Sequence, residues 1–240
     1  MQKKNFILAL LAGLALSGAA QAALHDRGSG LIYDDVLNLT WLQNANYGAG
    51  SSYDNGSSTT DGLMTWVNAV TWADTLVYHD SVRNVNYSDW RLPTMIDTGT
   101  SGCNYANSGT DCGYNVDTAT SEMAHLYFVS LGNQSYTTTT GANSGYAGGA
   151  NPNSTLDNVG PFINLQSYAY WSGLGYAPDS DEAWFFYTDI GAQLSNVKIN
   201  GYYAWAVRPG DVAAVPEADT WVMLLVGLGL VGVAARRRRG

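Results

Sequence analysis

Positive charge is scarce in this chain of 240 residues, which has 11 lysines and arginines against 20 aspartates and glutamates. Lys3, Lys4 and Arg236 to Arg239 stand at the two ends, and of the acids only Asp219 lies beyond Glu217. The body therefore carries five cations against nineteen acids, a net charge of −14. No nucleic-acid partner is expected, because neutralising phosphate takes Lys and Arg. Solubility and repulsion of like-charged polymers follow instead. Cysteine is scarce too, with only Cys103 and Cys112. They lack a C-x-x-C spacing and basic neighbours that would depress a thiol pKa, which argues against a redox pair. In an oxidising compartment a disulfide between them is the default, worth roughly 2–3 kcal/mol for so short a loop. The three histidines, His25, His79 and His125, share no zinc spacing. Glu122-x-x-His125 would put both side chains on one helical face. Di-iron bundles need two such motifs and two further glutamates, so a surface pair is expected here. No G-x-S-x-G elbow occurs.

Aromatic residues are plentiful, with 16 Tyr and 8 Trp, and they argue for a packed core rather than disorder. Met1 to Ala22 joins Lys3 and Lys4, the apolar run Phe6 to Leu16 and the site Ala20-Gln21-Ala22. That order reads as a secretory signal peptide, residues 1–22, cut after Ala22. At the other end, Trp221 to Ala235 is free of charge. As a helix it spans about 22 Å, short of a hydrocarbon core of about 30 Å, and flanking residues and snorkelling arginine stems make up part of the difference. Arg236, Arg237, Arg238 and Arg239 stay cytoplasmic by the positive-inside tendency, which puts the body on the far side. Gly227-x-Gly229-x-x-Gly232 mimics a dinucleotide fingerprint without the strand, helix and acid it needs; small residues in a membrane helix are the reading.

Val215-Pro216-Glu217, the apolar stretch and the terminal arginines resemble a PEP-CTERM sorting signal, although Ala218 stands where a second proline is usual. The resemblance implies a transient inner-membrane anchor over 218–240, a linker with the sorting motif over 211–217, and an exosortase-type partner that cuts near Pro-Glu. The product is then surface-bound or secreted.

Residues 23–210 are enough for one domain. Leu31–Tyr33 and Leu37–Trp41 read as short strands around a turn at Asp34-Asp35, and Asn44–Asp61 as a loop. Leu63, Trp66, Val70, Ala73 and Leu76 form a helical stripe with Asp61 as N-cap and Trp66 in the core. Met123, Leu126, Tyr127 and Leu131 mark a second helix stopped at Gly132. Met95–Asp117 is irregular, and Asn133–Asn158 is low in complexity. Strands follow at Ala169–Ser172, Ala183–Thr188, Gln193–Ile199 and Tyr202–Arg208, with a turn at Gly191 and a hairpin signal at Asn200-Gly201. In the last strand Tyr203, Trp205 and Val207 share a face. The pattern is α+β, with two helices and antiparallel strands.

Asp89-Trp90-Arg91-Leu92-Pro93-Thr94 closely matches a D-W-R-L-P-T element. Asp26 to Tyr33, Tyr170-Trp171-Ser172, Ala183-Trp184 and Val207-Arg208 match weaker elements. Together they resemble the DUF1566 (Lcl C-terminal) domain over roughly 26–209, with Tyr33 in place of a tryptophan and an insertion carrying the cysteines. The resemblance implies a C-type-lectin-like or formylglycine-generating-enzyme-like fold. In the element itself, Arg91 is expected to hold loop carbonyls or a carboxylate rather than a substrate. The calcium-dependent sugar signatures of C-type lectins are absent. Asp179, Asp181 and Glu182 are the best local carboxylate cluster, read as a charged turn, with an irregular calcium site as the alternative. The expectation is a non-enzymatic surface or matrix protein that binds or organises extracellular polysaccharide and needs no cofactor. A thiol- or metal-dependent enzyme and a calcium-dependent adhesin are the alternatives.

Overall fold

The computed structural model describes residues 24–99, 107, 110–145 and 157–212. The signal peptide, Cys103, Val215-Pro216-Glu217 and the tail with its arginines lie outside them. Among the described residues no helix is long and apolar enough to cross a membrane.

Among the described residues two main sheets, a two-stranded ribbon and two short helices make an α+β body. Strands β1 (Leu24–Asp26), β2 (Leu31–Asp34) and β3 (Leu39–Leu42) form an antiparallel meander. β4 (Leu63–Met64) leads into α1 (Trp66–Thr75), and β5 (Tyr78–Asp80) pairs with β6 (Val85–Tyr87). β7 (Gly113–Tyr114) precedes α2 (Glu122–His125), which runs on as a π-helical turn, Leu126–Ser130. Then come β8 (Ala169–Gly175), β9 (Glu182–Tyr187), β10 (Ala192–Val197), β11 (Tyr202–Tyr203) and β12 (Val207–Pro209). The larger sheet has the order β4-β11-β8-β9-β10-β7, antiparallel except between β11 and β8; β12 closes the smaller sheet beside β3.

The expected strand over 202–208 is therefore two strands in two sheets. Tyr202, Ala204, Trp205, Ala206 and Val207 are all buried, so both sides of the segment are covered and alternation loses its meaning. Trp205 is the pivot. Its ring lies 4.9 Å from that of Trp41 and 4.7 Å from that of Phe162, and its indole N–H donates to Leu42 O at 2.7 Å. Asn200-Gly201 makes a turn but not a hairpin, because β10 pairs with β9 and β7 while β11 pairs with β4 and β8.

Helix α1 also differs from its sequence pattern. It starts at Trp66 with Thr65 as N-cap, and Leu63 is in a strand. Asp61 instead accepts the backbone N–H groups of Ser58 and Leu63. The buried face is Ala69, Trp72 and Ala73. Trp66 is only half-buried; its N–H donates to Ser172 O at 2.8 Å and Lys198 Nζ sits 4.6 Å above its ring. The shorter helix moves the apolar centre onto Trp72. Glu122 and His125 are no surface pair: His125 is buried, and its Nε2 has no partner among the described residues. Cys112 packs with Met95, Tyr176 and Trp184.

Candidate functional site

The Asp89–Pro93 element is the crossing point of the fold. Asp89 accepts Arg208 Nε at 2.8 Å and Nη2 at 3.0 Å, and this pairing holds its carboxyl below the usual range against the cost of burial. Arg208 also covers the Tyr87 ring at 4.3 Å. Trp90 is buried and donates to Tyr87 O at 3.0 Å. Arg91 grips Glu122 with both Nη atoms at 2.7 Å and reaches Leu92 O at 3.0 Å, while its backbone pairs with Val207. Such a fork suits a planar carboxylate. Pro93 O accepts Gly173 N at 2.8 Å. A groove of about 160 Å³ runs beside the element, lined by Val70, Asp74, Trp90, Arg91, Leu92, Thr94 and Gly173. Two of its polar groups, Arg91 and the Thr94 N–H, are already engaged by Glu122. The groove is small and structurally committed.

A second surface has freer chemistry. Tyr168 is 39% exposed and stands just before β8. Its ring meets Tyr187 at 5.3 Å, Tyr202 at 5.8 Å and Tyr203 at 6.3 Å, all close to edge-on. Tyr203 touches Tyr170, and Tyr170 touches the central Trp205. The exposed ring of Tyr168, with the half-buried Tyr187 and Tyr203, is thus the outer end of an aromatic column rooted in the core. Burial raises the Tyr187 hydroxyl well above its ordinary pKa, aided by Asp189 and Tyr168, so it remains a neutral donor. Asp189 has one buried oxygen without a partner. Tyr168 immediately precedes β8 and Tyr187 ends β9. The spacing Tyr168-x-Tyr170 and Phe185-x-Tyr187 carries the signal.

Asp179 and Asp181 lie in the β8–β9 turn, and Glu182 opens β9. Asp179 Oδ1 accepts Asp181 N at 2.9 Å, and Glu182 Oε2 accepts the Ser195 hydroxyl at 2.6 Å. Among the described residues no three His, Cys, Asp or Glu side chains gather as a metal centre. His25 pairs with Asp35, and His79 with Asn86.

Comparison with known families gives two matches. The model of the Lcl C-terminal domain covers residues 30–208, and that of the PEP-CTERM protein-sorting motif covers residues 214–239. No curated protein and no solved structure matches the chain.

Proposed function

The chain belongs to the Lcl C-terminal domain family and carries a PEP-CTERM sorting motif, and from that premise we propose a non-enzymatic module that binds extracellular polysaccharide through its tyrosine face. The motif sets the route: export through the inner membrane, anchoring by the tail, processing by exosortase, then the surface or the medium. The observation that carries the binding reading is the exposed ring of Tyr168, backed by Tyr187 and Tyr203. Flat rings held edge-on by neighbours offer a rigid apolar surface with hydroxyls at its border, which suits the faces and edges of sugar rings. The acidic body disfavours polyanions, so neutral polymer is the expected class. In this reading Cys103 and Cys112 form a structural disulfide.

Affinity electrophoresis of the purified protein through gels containing soluble neutral or acidic polysaccharide tests it. Retardation by neutral polymer is expected, with Tyr168→Ala weakening it three- to tenfold, the weight of about 0.5–1.5 kcal/mol for one ring contact. Equal mobility of the two proteins in every polymer would remove the tyrosine face from the reading. Thiol titration of the same sample separates the enzyme alternative: two accessible, reactive thiols would favour it over a structural bridge.

A further inference from the structure

A cavity of about 240 Å³ is lined by the π-helical turn, which supplies the half-buried Phe128, and by residues of the segment 133–144. That is just under the roughly 300–1,000 Å³ of pockets for drug-sized ligands, so it has room for one ring. Its walls are held from behind. Tyr136 N donates to Ile190 O at 2.9 Å and the Ser135 hydroxyl to Gly191 O at 3.0 Å, which pins the segment to the β9–β10 turn. The Ser144 hydroxyl donates to Ser135 O at 2.6 Å, and Asn133 and Asn158 exchange two bonds at 2.8 and 2.9 Å. Phe128 lies edge-on to Tyr127 at 5.0 Å and to Phe186 at 6.0 Å. The cavity is therefore formed before any ligand arrives.

None of the side chains lining the cavity is charged, although the body is strongly acidic. A cation would find no carboxylate there and an anion no counter-charge. A purely apolar ligand would leave amides and hydroxyls of the wall without partners. Two lining side chains have hydrogen-bonding capacity to spare. Asn115 gives both amide hydrogens away, to Asn107 O at 2.8 Å and Thr137 O at 2.7 Å, and its carbonyl oxygen accepts nothing among the described residues. Gln134 is exposed, and its side chain makes no hydrogen bond among the described residues. Amide donors and acceptors beside an aromatic ring, around a space for one ring, match a neutral polyhydroxyl ring. The cavity also neighbours the tyrosine face across one turn: Tyr187 ends β9, and Ile190 and Gly191 of the turn that follows hold the cavity wall.

We infer that this cavity is a subsite for a single neutral sugar unit, with Phe128 as the apolar contact and Gln134 and Asn115 as hydrogen-bonding contacts. The subsite deepens the polysaccharide reading and rests on it for the polymer that delivers the sugar. A terminal or branching unit fits, because the space is too small for a run of units. Uronic acids are disfavoured, since they bring a charge that no lining group meets.

The experiment is saturation-transfer NMR of the purified full-length protein in a detergent without sugar headgroups. Glucose, galactose and N-acetylglucosamine are the neutral probes, and glucuronic acid is the charged control. Transfer to at least one neutral sugar is expected, with none to glucuronic acid. Gln134→Ala weakens that binding roughly two- to tenfold, as the loss of one hydrogen bond should, Phe128→Leu abolishes it, and Tyr168→Ala leaves most of it. No transfer to any neutral sugar overturns the inference, as does equal transfer to glucuronic acid. Transfer that Gln134→Ala and Phe128→Leu leave unchanged, or that Tyr168→Ala removes, puts the sugar elsewhere and overturns it too. If Phe128→Leu does not fold, Gln134→Ala decides alone, because that side chain holds no part of the described body. Retardation in polymer gels separates the two readings. A retarded protein without sugar transfer loses the cavity and keeps the tyrosine face, and transfer without retardation does the reverse.

Discussion

Asp189, in the turn between β9 and β10, reports how burial changes a carboxyl. Desolvation is the largest influence on it and outweighs the N–H groups of Asp189 and Ile190, pushing its pKa up to about 6 from 3.8. The folded state thus prefers the neutral acid. Its contribution to stability is complete below about pH 4, declines as pH rises towards 6, and is lost above that. Asp189→Asn removes the charge and keeps an oxygen for the backbone donors. The variant should melt higher than wild type at pH 7–8 and no higher at pH 4, measured by thermal denaturation across that range. A gap of the same size at both pH values would show that charge burial is not the cause. At this scale little was legible in advance. The residues Asp89 to Pro93 stood out by type and order, but the partners of Arg91 and Asp89 lie 31 and 119 positions away. Composition said only that cations are few. That scarcity became informative once each described arginine, Arg27, Arg83, Arg91 and Arg208, had a named acid.

Elements were more legible where one face is wet. The helix from Glu122 through the π-helical turn ending before Gly132 follows its pattern, because Met123, Leu126, Tyr127 and Leu131 recur at helical spacing on the buried side while Glu122 and Phe128 to Ser130 are only partly buried. The segment 202–208 resisted, since both of its faces are buried and its division between two sheets leaves no periodic trace. The tyrosine face was hidden for a related reason: its rings come from three separated strands, and only their pairing brings them together. Turn glycines read well. Gly191 was expected in a turn, and it has φ of +62°. A Cβ there would lie 2.9 Å from both Ser135 Cα and Tyr127 Cε1, so one contact is backbone that cannot swing away. Gly210 has φ of +74° with open space around it. Alanine at Gly210 should cost about 1 kcal/mol for conformation alone. Alanine at Gly191 adds the clash and should lower the melting temperature by several degrees more, at roughly 2–4 °C per kcal/mol. Equal losses would mean that the β9–β10 turn relaxes freely away from the π-helical turn.

At the scale of the whole molecule, the two ends of the described body meet. Arg27, just after β1, holds Asp211, just after β12, at 2.7 Å across 184 residues, and Asn38 O and the Thr40 hydroxyl fasten Gly210. The segment bearing the sorting motif therefore leaves from a fastened strand, and the body is closed before the tail begins. A cut near Pro216-Glu217 then falls after the last described strand. Substituting both residues with alanine should leave folding and export unchanged and block processing. Fractionation of cells with an antibody to the body should show a longer form held in the membrane, where wild type yields a shorter form at the surface or in the medium. The doubly substituted protein should also melt with wild type after detergent extraction, because the last described strand, β12, is fastened upstream of the motif by Arg27–Asp211 and by the bonds to Gly210. Release of both proteins at one size and rate would place the processing signal elsewhere in 214–239.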